Sequence, residues 1–210
     1  MACTLIPINL NNPSEYEELR NQRLACGWDH TPEKLALWQE KQAAGLKSFF
    51  WIATKVGSES SASPSESTPT IRAGHISLDA YTEPPDPSVA NSSKTNLTIS
   101  SFFIMPQHRA AGLGSASMKL IESLAISAPY GSPNCESITL ACISKKHYYD
   151  PVLAPHVRKV TPICNQEWYE KMGYVVWKVE PRHEDSIVLE SGERMDVVYD
   201  AASMRKRVVR

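Results

Sequence analysis

The residues predict an α/β fold built on a mixed sheet, as a single domain over 1–210. Three observations carry that expectation. Strand-length apolar runs and segments of helical periodicity follow one another in the order β-α-α-β-β-β-α-β-α-β-β. The chain has 210 residues, 42% hydrophobic and 21% charged, which is enough for one well-buried core. At its centre, "FFIMPQHRAAGLGSASMKLIESLA" (102–125) runs from an apolar strand through a glycine-bearing turn into an amphipathic helix.

Each element has its own signal. "TLIPIN" (4–9) reads as a strand, and "PSEYEELRNQRLACG" (13–27) as a helix with acidic early turns and Gly27 as its stop. "TPEKLALWQEKQAAG" (31–45) is a second helix, with Thr31 as N-cap, Pro32 at its first position and Gly45 at its end. "SFFWIAT" (48–54) is an aromatic-rich strand. "GSESSASPSESTP" (57–69) has no apolar anchor and reads as a flexible loop. In "IRAGHISLDAY" (71–81), Gly74, Ile76, Leu78 and Ala80 share one face, while His75, Ser77, Asp79 and Tyr81 share the other. A second loop, expected to be flexible, spans 82–94 and leads to the strand "TNLTISSFFIM" (95–105), which makes an antiparallel pair with its predecessor. The helix near 111–128 places Leu113, Ala116, Leu120, Ile121 and Leu124 on one stripe. "SITLACI" (137–143) is a strand, and 144–164 is a long connection with three prolines. "NQEWYEKMG" (165–173) is a short helix with Asn165 as cap and Gly173 as stop; strands follow at 174–180 and 196–206.

Composition narrows the function. A net charge of -1 argues against a general nucleic-acid or membrane-surface binder. The five cysteines (Cys3, Cys26, Cys135, Cys142, Cys164) are odd in number and include no C-x-x-C pair, so neither a disulfide framework nor a metal site is expected. "MACTLIPINL" lacks a basic n-region and a long apolar core, and no apolar run approaches the ~20 residues of a membrane span. A cytoplasmic location is the expectation.

The glycine turn invites an anion. The first N–H groups of a helix have no partner inside it, and with the positive end of the helix dipole they suit a phosphate. A P-loop needs Lys and Ser/Thr directly after its second glycine, whereas Gly112-Leu113-Gly114 is followed by Ser115 and Ala116. A dinucleotide fingerprint needs a third glycine where Ser117 stands, and it opens a βαβ unit.

Arg109-Ala110-Ala111-Gly112-Leu113-Gly114, an R-x-x-G-x-G turn entered through Ile104, Pro106 and Arg109, resembles the acetyl-CoA loop of the GCN5-related N-acetyltransferases (the GNAT superfamily). "WYEKMGYVVW" (168–177) resembles a second segment of that family, with Tyr169 four residues before Gly173. The family's frequent asparagine eleven residues before that glycine is Pro162 here. The resemblance implies a mostly antiparallel twisted sheet whose middle strands splay, with coenzyme A between the strand ending at Met105 and the strand 137–143. It implies that the amides of Ala110, Ala111, Gly112, Leu113, Gly114 and Ser115 cradle the pyrophosphate, with Arg109 nearby, and that backbone at Phe103 and Ile104 pairs with the pantetheine arm. Tyr169 is then the acid for the leaving thiolate. Trp28, Glu33, His75 and Asp79 are acceptor-side candidates, with His147 and Asp150 behind them. The implied reaction is direct acetyl transfer from acetyl-CoA to the primary amine of a small molecule, without metal, and a homodimer is compatible with it. A peptide or protein acceptor, and a module that holds acyl-CoA without turnover, are the alternatives.

Overall fold

In the computed structural model, residues 3–55, 70–189 and 191–208 are described. The polar tract expected as a loop at 57–69 lies outside them. Contacts cluster the chain into two units, Met1–Glu136 and Ser137–Arg210.

The first unit is an antiparallel sheet in the order β1 (Cys3–Pro7), β2 (Lys47–Lys55), β3 (Thr70–Asp79), β4 (Asn96–Ile104). It also holds the helices α1 (Pro13–Cys26), α2 (Pro32–Ala43) and α3 (Leu113–Ala125). The helix signals act as local chemistry dictates. Asn12 accepts from the Ser14 amide at 3.0 Å to open α1, and Thr31 Oγ1 accepts from the Lys34 amide at 3.3 Å to open α2. Ile8, Leu10, Leu19, Leu35, Trp38, Phe49 and Trp51 form the core under α1 and α2. On α3, Leu113, Met118, Ile121 and Ala125 are buried, and this helix lies against β1, β3 and β4.

Both faces of β3 are buried from Ala73 to its end at Asp79, which the alternation of that segment did not disclose. The stretch 82–94 is threaded by short-range bonds: the Asp86 amide donates to Thr82 Oγ1 at 2.7 Å, the Ser88 amide to Asp86 Oδ1 at 2.9 Å, and the Thr95 amide to Asn91 Oδ1 at 3.1 Å. Its Asp, Asn and Ser content, read as flexibility, serves turns that bond their own backbone.

The second unit is antiparallel in the order β5 (Ser137–Ile143), β7 (Arg194–Arg207), β6 (Val175–Val188), with the short helices α4 (Lys145–Tyr149), α5 (Ala154–Val160) and α6 (Asn165–Glu170). Leu153, Val157, Ile187, Val197 and Tyr199 form its core. Three expectations are corrected here. The connection 144–164 contains α4 and α5; Pro155 stands in the first turn of α5, where proline starts a helix and does not break it. Cys164 is the N-cap of α6, and Asn165, expected as its cap, is its first residue. The strand expected at 174–180 continues to Val188, because register shifts between Val176 and Lys178 and between Pro181 and His183 absorb the proline and the charged run.

Candidate active site

The strand–helix junction is built from three backbone features. After β4 ends at Ile104, Pro106–His108 makes one 3₁₀ turn, and then Ala110 (φ 63) and Gly112 (φ 75) both adopt left-handed conformations. Gly112 is the N-cap of α3, and among the described residues no side chain caps that helix. A Cβ at Gly112 would meet nothing within 4 Å, so the space beside the first amides is open. Arg109 is tied back to the strand: its Nε donates to Ile104 O at 3.1 Å, and its guanidinium lies 5.7 Å from the Phe103 ring centre. The Cys26 thiol, at the end of α1, is pushed up by burial, and the charges of Arg23 and, more weakly, Arg109 oppose that shift. The stretch from Arg109 to Ser115 is one turn, exposed apart from the buried Leu113 and half-buried Gly114, with open space at its N-cap Gly112.

β4 approaches this turn through a bulge. Ser77 pairs with Ser100 and His75 with Phe103, so β4 carries an extra residue there, and Ser101 is left-handed (φ 48). At the next position the backbones close in: a Cβ on Gly74 would stand 2.2 Å from Phe103 O and 2.9 Å from Ile104 Cα. Only glycine permits that approach.

His75 and Asp79 do not line a cleft or meet solvent. His75 is fully buried; its Nδ1 lies 2.9 Å from Gln22 Oε1 and its Nε2 lies 3.4 Å from Arg23 Nη1. An arginine can only donate, so the Nε2 lone pair accepts and Nδ1 carries the proton. Burial, then the charges of Arg23 and Lys47, hold the imidazole well below the usual histidine range. Asp79 Oδ2 takes Lys47 Nζ at 2.6 Å and the Ser100 hydroxyl, while Oδ1 is buried without a partner among the described residues. Lys47 Nζ also lies 4.8 Å from the Trp38 ring centre and 4.4 Å from that of Phe49. This polar row is buried against α1 and α2 and partnered from within. Sequence reading missed Lys47, Gln22 and Arg23, because a charged or amide side chain in a helix or at a strand end reads as solvated. The one available signal was the polar row itself, which needs buried partners if it is not exposed.

The turn between α1 and α2 carries the other two acceptor-side candidates. Trp28 is 46% exposed, and its carbonyl accepts from Arg23 Nε at 3.0 Å; Glu33 is exposed in the first turn of α2. Gly27 (φ 83) and Asp29 (φ 48) give this turn two left-handed residues.

In the second unit Tyr169 is buried on α6, its ring 4.9 Å from that of Trp168 and 6.0 Å from that of Tyr174. Burial, and then the neighbouring Cys142 thiol, push its phenol up, so it stays protonated at neutral pH. The Cys142 thiol is itself pushed up to about 12, first by burial. The helix is anchored by Gln166, whose Oε1 accepts from the Lys145 amide at 2.7 Å. His147 and Asp150 are spent structurally. His147 Nε2 accepts from the Asp200 amide at 2.8 Å, and Asp150 Oδ1 accepts from the Val152 and Leu153 amides at 2.8 and 2.9 Å. A shallow groove lined by Gly173, Val175, Trp177 and the basic run Arg205–Arg207 offers no carboxylate or imidazole for proton transfer. Among the described residues no group of three or more His, Cys, Asp or Glu is placed to hold a metal ion, and no helix is long and apolar enough to cross a membrane.

Comparison with known proteins matches no family model and no curated protein sequence. Solved structures do match, along nearly the whole chain. A spermidine N-acetyltransferase chimera of Vibrio cholerae SpeG and hSSAT superposes with a TM-score of 0.55 at 11% identity, covering 99% of this chain and 96% of its own. Arabidopsis thaliana NAA60 in complex with acetyl-CoA gives 0.54 at 13% identity, with 99% of both chains covered. An aminoglycoside 6'-N-acetyltransferase complexed with coenzyme A gives 0.55 at 14% identity, covering 100% of this chain and 98% of its own. The fold is that of the GNAT acetyltransferases, as the two sequence motifs implied.

Proposed function

We propose that this GNAT-fold chain transfers the acetyl group of acetyl-CoA directly to a primary amine of a small molecule. The observation that carries the reading is the start of α3, where an uncapped helix N-terminus opens on free space through left-handed Gly112. Amides so placed suit a pyrophosphate. Two of the structural neighbours were solved with acetyl-CoA or coenzyme A, and two are named for spermidine and aminoglycoside acetylation. A peptide acceptor ranks lower, because the net charge of -1 gives this chain no pull toward a basic tail.

In the proposed reaction the amine nitrogen attacks the thioester carbonyl carbon, a C–N bond forms, and the C–S bond breaks. A backbone N–H near the β4 bulge suits the tetrahedral oxyanion. The departing thiolate takes the Tyr169 proton, the acceptor nitrogen loses one to solvent, and the Tyr169 phenolate regains one from solvent. A phenol of pKa about 10 or more gives its proton to a thiolate, whose thiol has pKa about 8.5, only with help from position. His75 and Asp79 are not part of this scheme, because both are buried in internal bonds. The five cysteines are free thiols, which suits a reducing cytoplasm.

The test is thiol release from acetyl-CoA with spermidine, kanamycin, free amino acids and short peptides offered in turn. Saturable, amine-dependent release supports the reading. Tight acetyl-CoA binding with no release for any amine would leave a binding module in its place.

A further inference from the structure

Arg23 is 3% exposed on the last turns of α1, a position that an apolar side chain would fill at lower desolvation cost. Its guanidinium is divided among three groups. Nε donates to Trp28 O at 3.0 Å, Nη2 lies 3.4 Å from Asp29 Oδ2, and Nη1 lies 3.4 Å from His75 Nε2. The face of the group lies 5.6 Å from the Trp38 ring centre. Two of these partners belong to the surface turn after α1, which holds two left-handed residues and the exposed Trp28. A buried charge here fixes the shape of an exposed turn.

The other end of the row reaches the glycine turn. The His75 ring lies 5.7 Å from that of Phe103, and the Phe103 ring lies 5.7 Å from the Arg109 guanidinium. Arg23, His75, Phe103 and Arg109 thus form a continuous row joining the turn 27–31 to the start of α3. Lysine could keep the charge but not three directed bonds from one plane.

We infer that Arg23 is a positioning residue, which holds Trp28 and its turn in register with the acetyl-CoA turn so that the amine meets the thioester. This rests on the acetyltransferase reading and names the buried group that sets its acceptor side. It touches neither substrate.

The test compares the parent with Arg23→Lys and Arg23→Ala, using the best amine among spermidine, kanamycin and a tripeptide. Arg23→Lys raises the amine KM by about tenfold or more, while the acetyl-CoA Kd from calorimetry stays within about twofold. In Arg23→Ala, added guanidinium at roughly 10 mM restores the amine KM, because it refills the site that the side chain left. If Arg23→Ala does not fold, Arg23→Lys decides alone. A lowered melting temperature with unchanged amine KM overturns the inference, and so does an acetyl-CoA Kd that rises in step with the amine KM. A parent that releases no thiol with any amine overturns the acetyltransferase reading itself, and this inference with it; that result is read before any variant is made.

Discussion

Replacing Gly112 by alanine separates what the fold asks of the glycine turn from what a ligand asks of it. Gly112 stands at φ 75, so any L side chain there is strained by about 1–2 kcal/mol. Its Cβ direction is open, so the substitution adds no clash within the protein. For a chain of this size that strain lowers the melting temperature by about 2–4 °C per kcal/mol. Gly45 is the matched control, because it is left-handed at φ 69, also meets nothing within 4 Å, and closes α2 far along the sequence from the glycine turn. Gly45→Ala is expected to lose the same stability. The two variants part in coenzyme A affinity. A methyl group that keeps a phosphate from one charged amide bond costs about 1.5–3 kcal/mol, roughly ten- to a hundredfold in Kd. Calorimetric titration with coenzyme A, beside thermal melts of both variants, reads the two quantities separately. Equal affinities for Gly112→Ala, Gly45→Ala and the parent, with all three folded, would refute the phosphate role of this turn.

Tyr169→Phe keeps a buried ring and removes the proposed acid, so kcat falls on the order of 10²-fold with the acetyl-CoA KM nearly unchanged; a kcat within about twofold of the parent removes Tyr169 from the mechanism. Lys47→Met strands the Asp79 carboxylate inside the fold and costs about 3–5 kcal/mol in urea unfolding, whereas Lys47→Met with Asp79→Leu recovers most of it; equal losses in both would show that the ion pair is not the issue. His75 is held below its unfolded value of about 6.5, so the unfolded chain binds the extra proton first and stability falls as pH drops below that value. His147 is lowered as well, by burial first, so His75→Gln should flatten this slope between pH 7 and 5 without abolishing it; an unchanged slope would contradict the neutral, internally bonded His75.

Much of the fold was legible because it is decided locally. Thr31 and Pro32 open α2 with the bonds their chemistry predicts, and the glycine turn at 109–115 could be located because proline, arginine and two glycines leave few other conformations. What stayed hidden was decided by distant partners. Alternation assigns His75 and Asp79 correctly to one face, but whether that face is wet depends on α1 bringing Arg23 and Gln22, and β2 bringing Lys47, to it. Local pattern cannot contain that answer. The extent of β6 was masked by its register shifts, since two extra residues change the parity on which a strand is recognised. α4 and α5 were not legible because they are only five and seven residues long, in a segment whose three prolines read as a connection.

The close passage of Gly74 beneath Phe103 has a consequence for anyone mapping this chain by saturation mutagenesis. With Phe103 O 2.2 Å from its missing Cβ, position 74 accepts no second atom, so even alanine must push β4 outward. The displaced strand carries the bulge at Ser101, the Ile104 carbonyl that anchors Arg109, and the lead into the glycine turn. A shift near 1 Å at reacting groups can cost about 10²-fold in rate. A fitness map would therefore colour residue 74 as though it were catalytic, intolerant of every replacement, though it carries no side chain to do chemistry. Read without the backbone geometry, such a map would enlarge the active site by one residue that only sets the spacing of two strands.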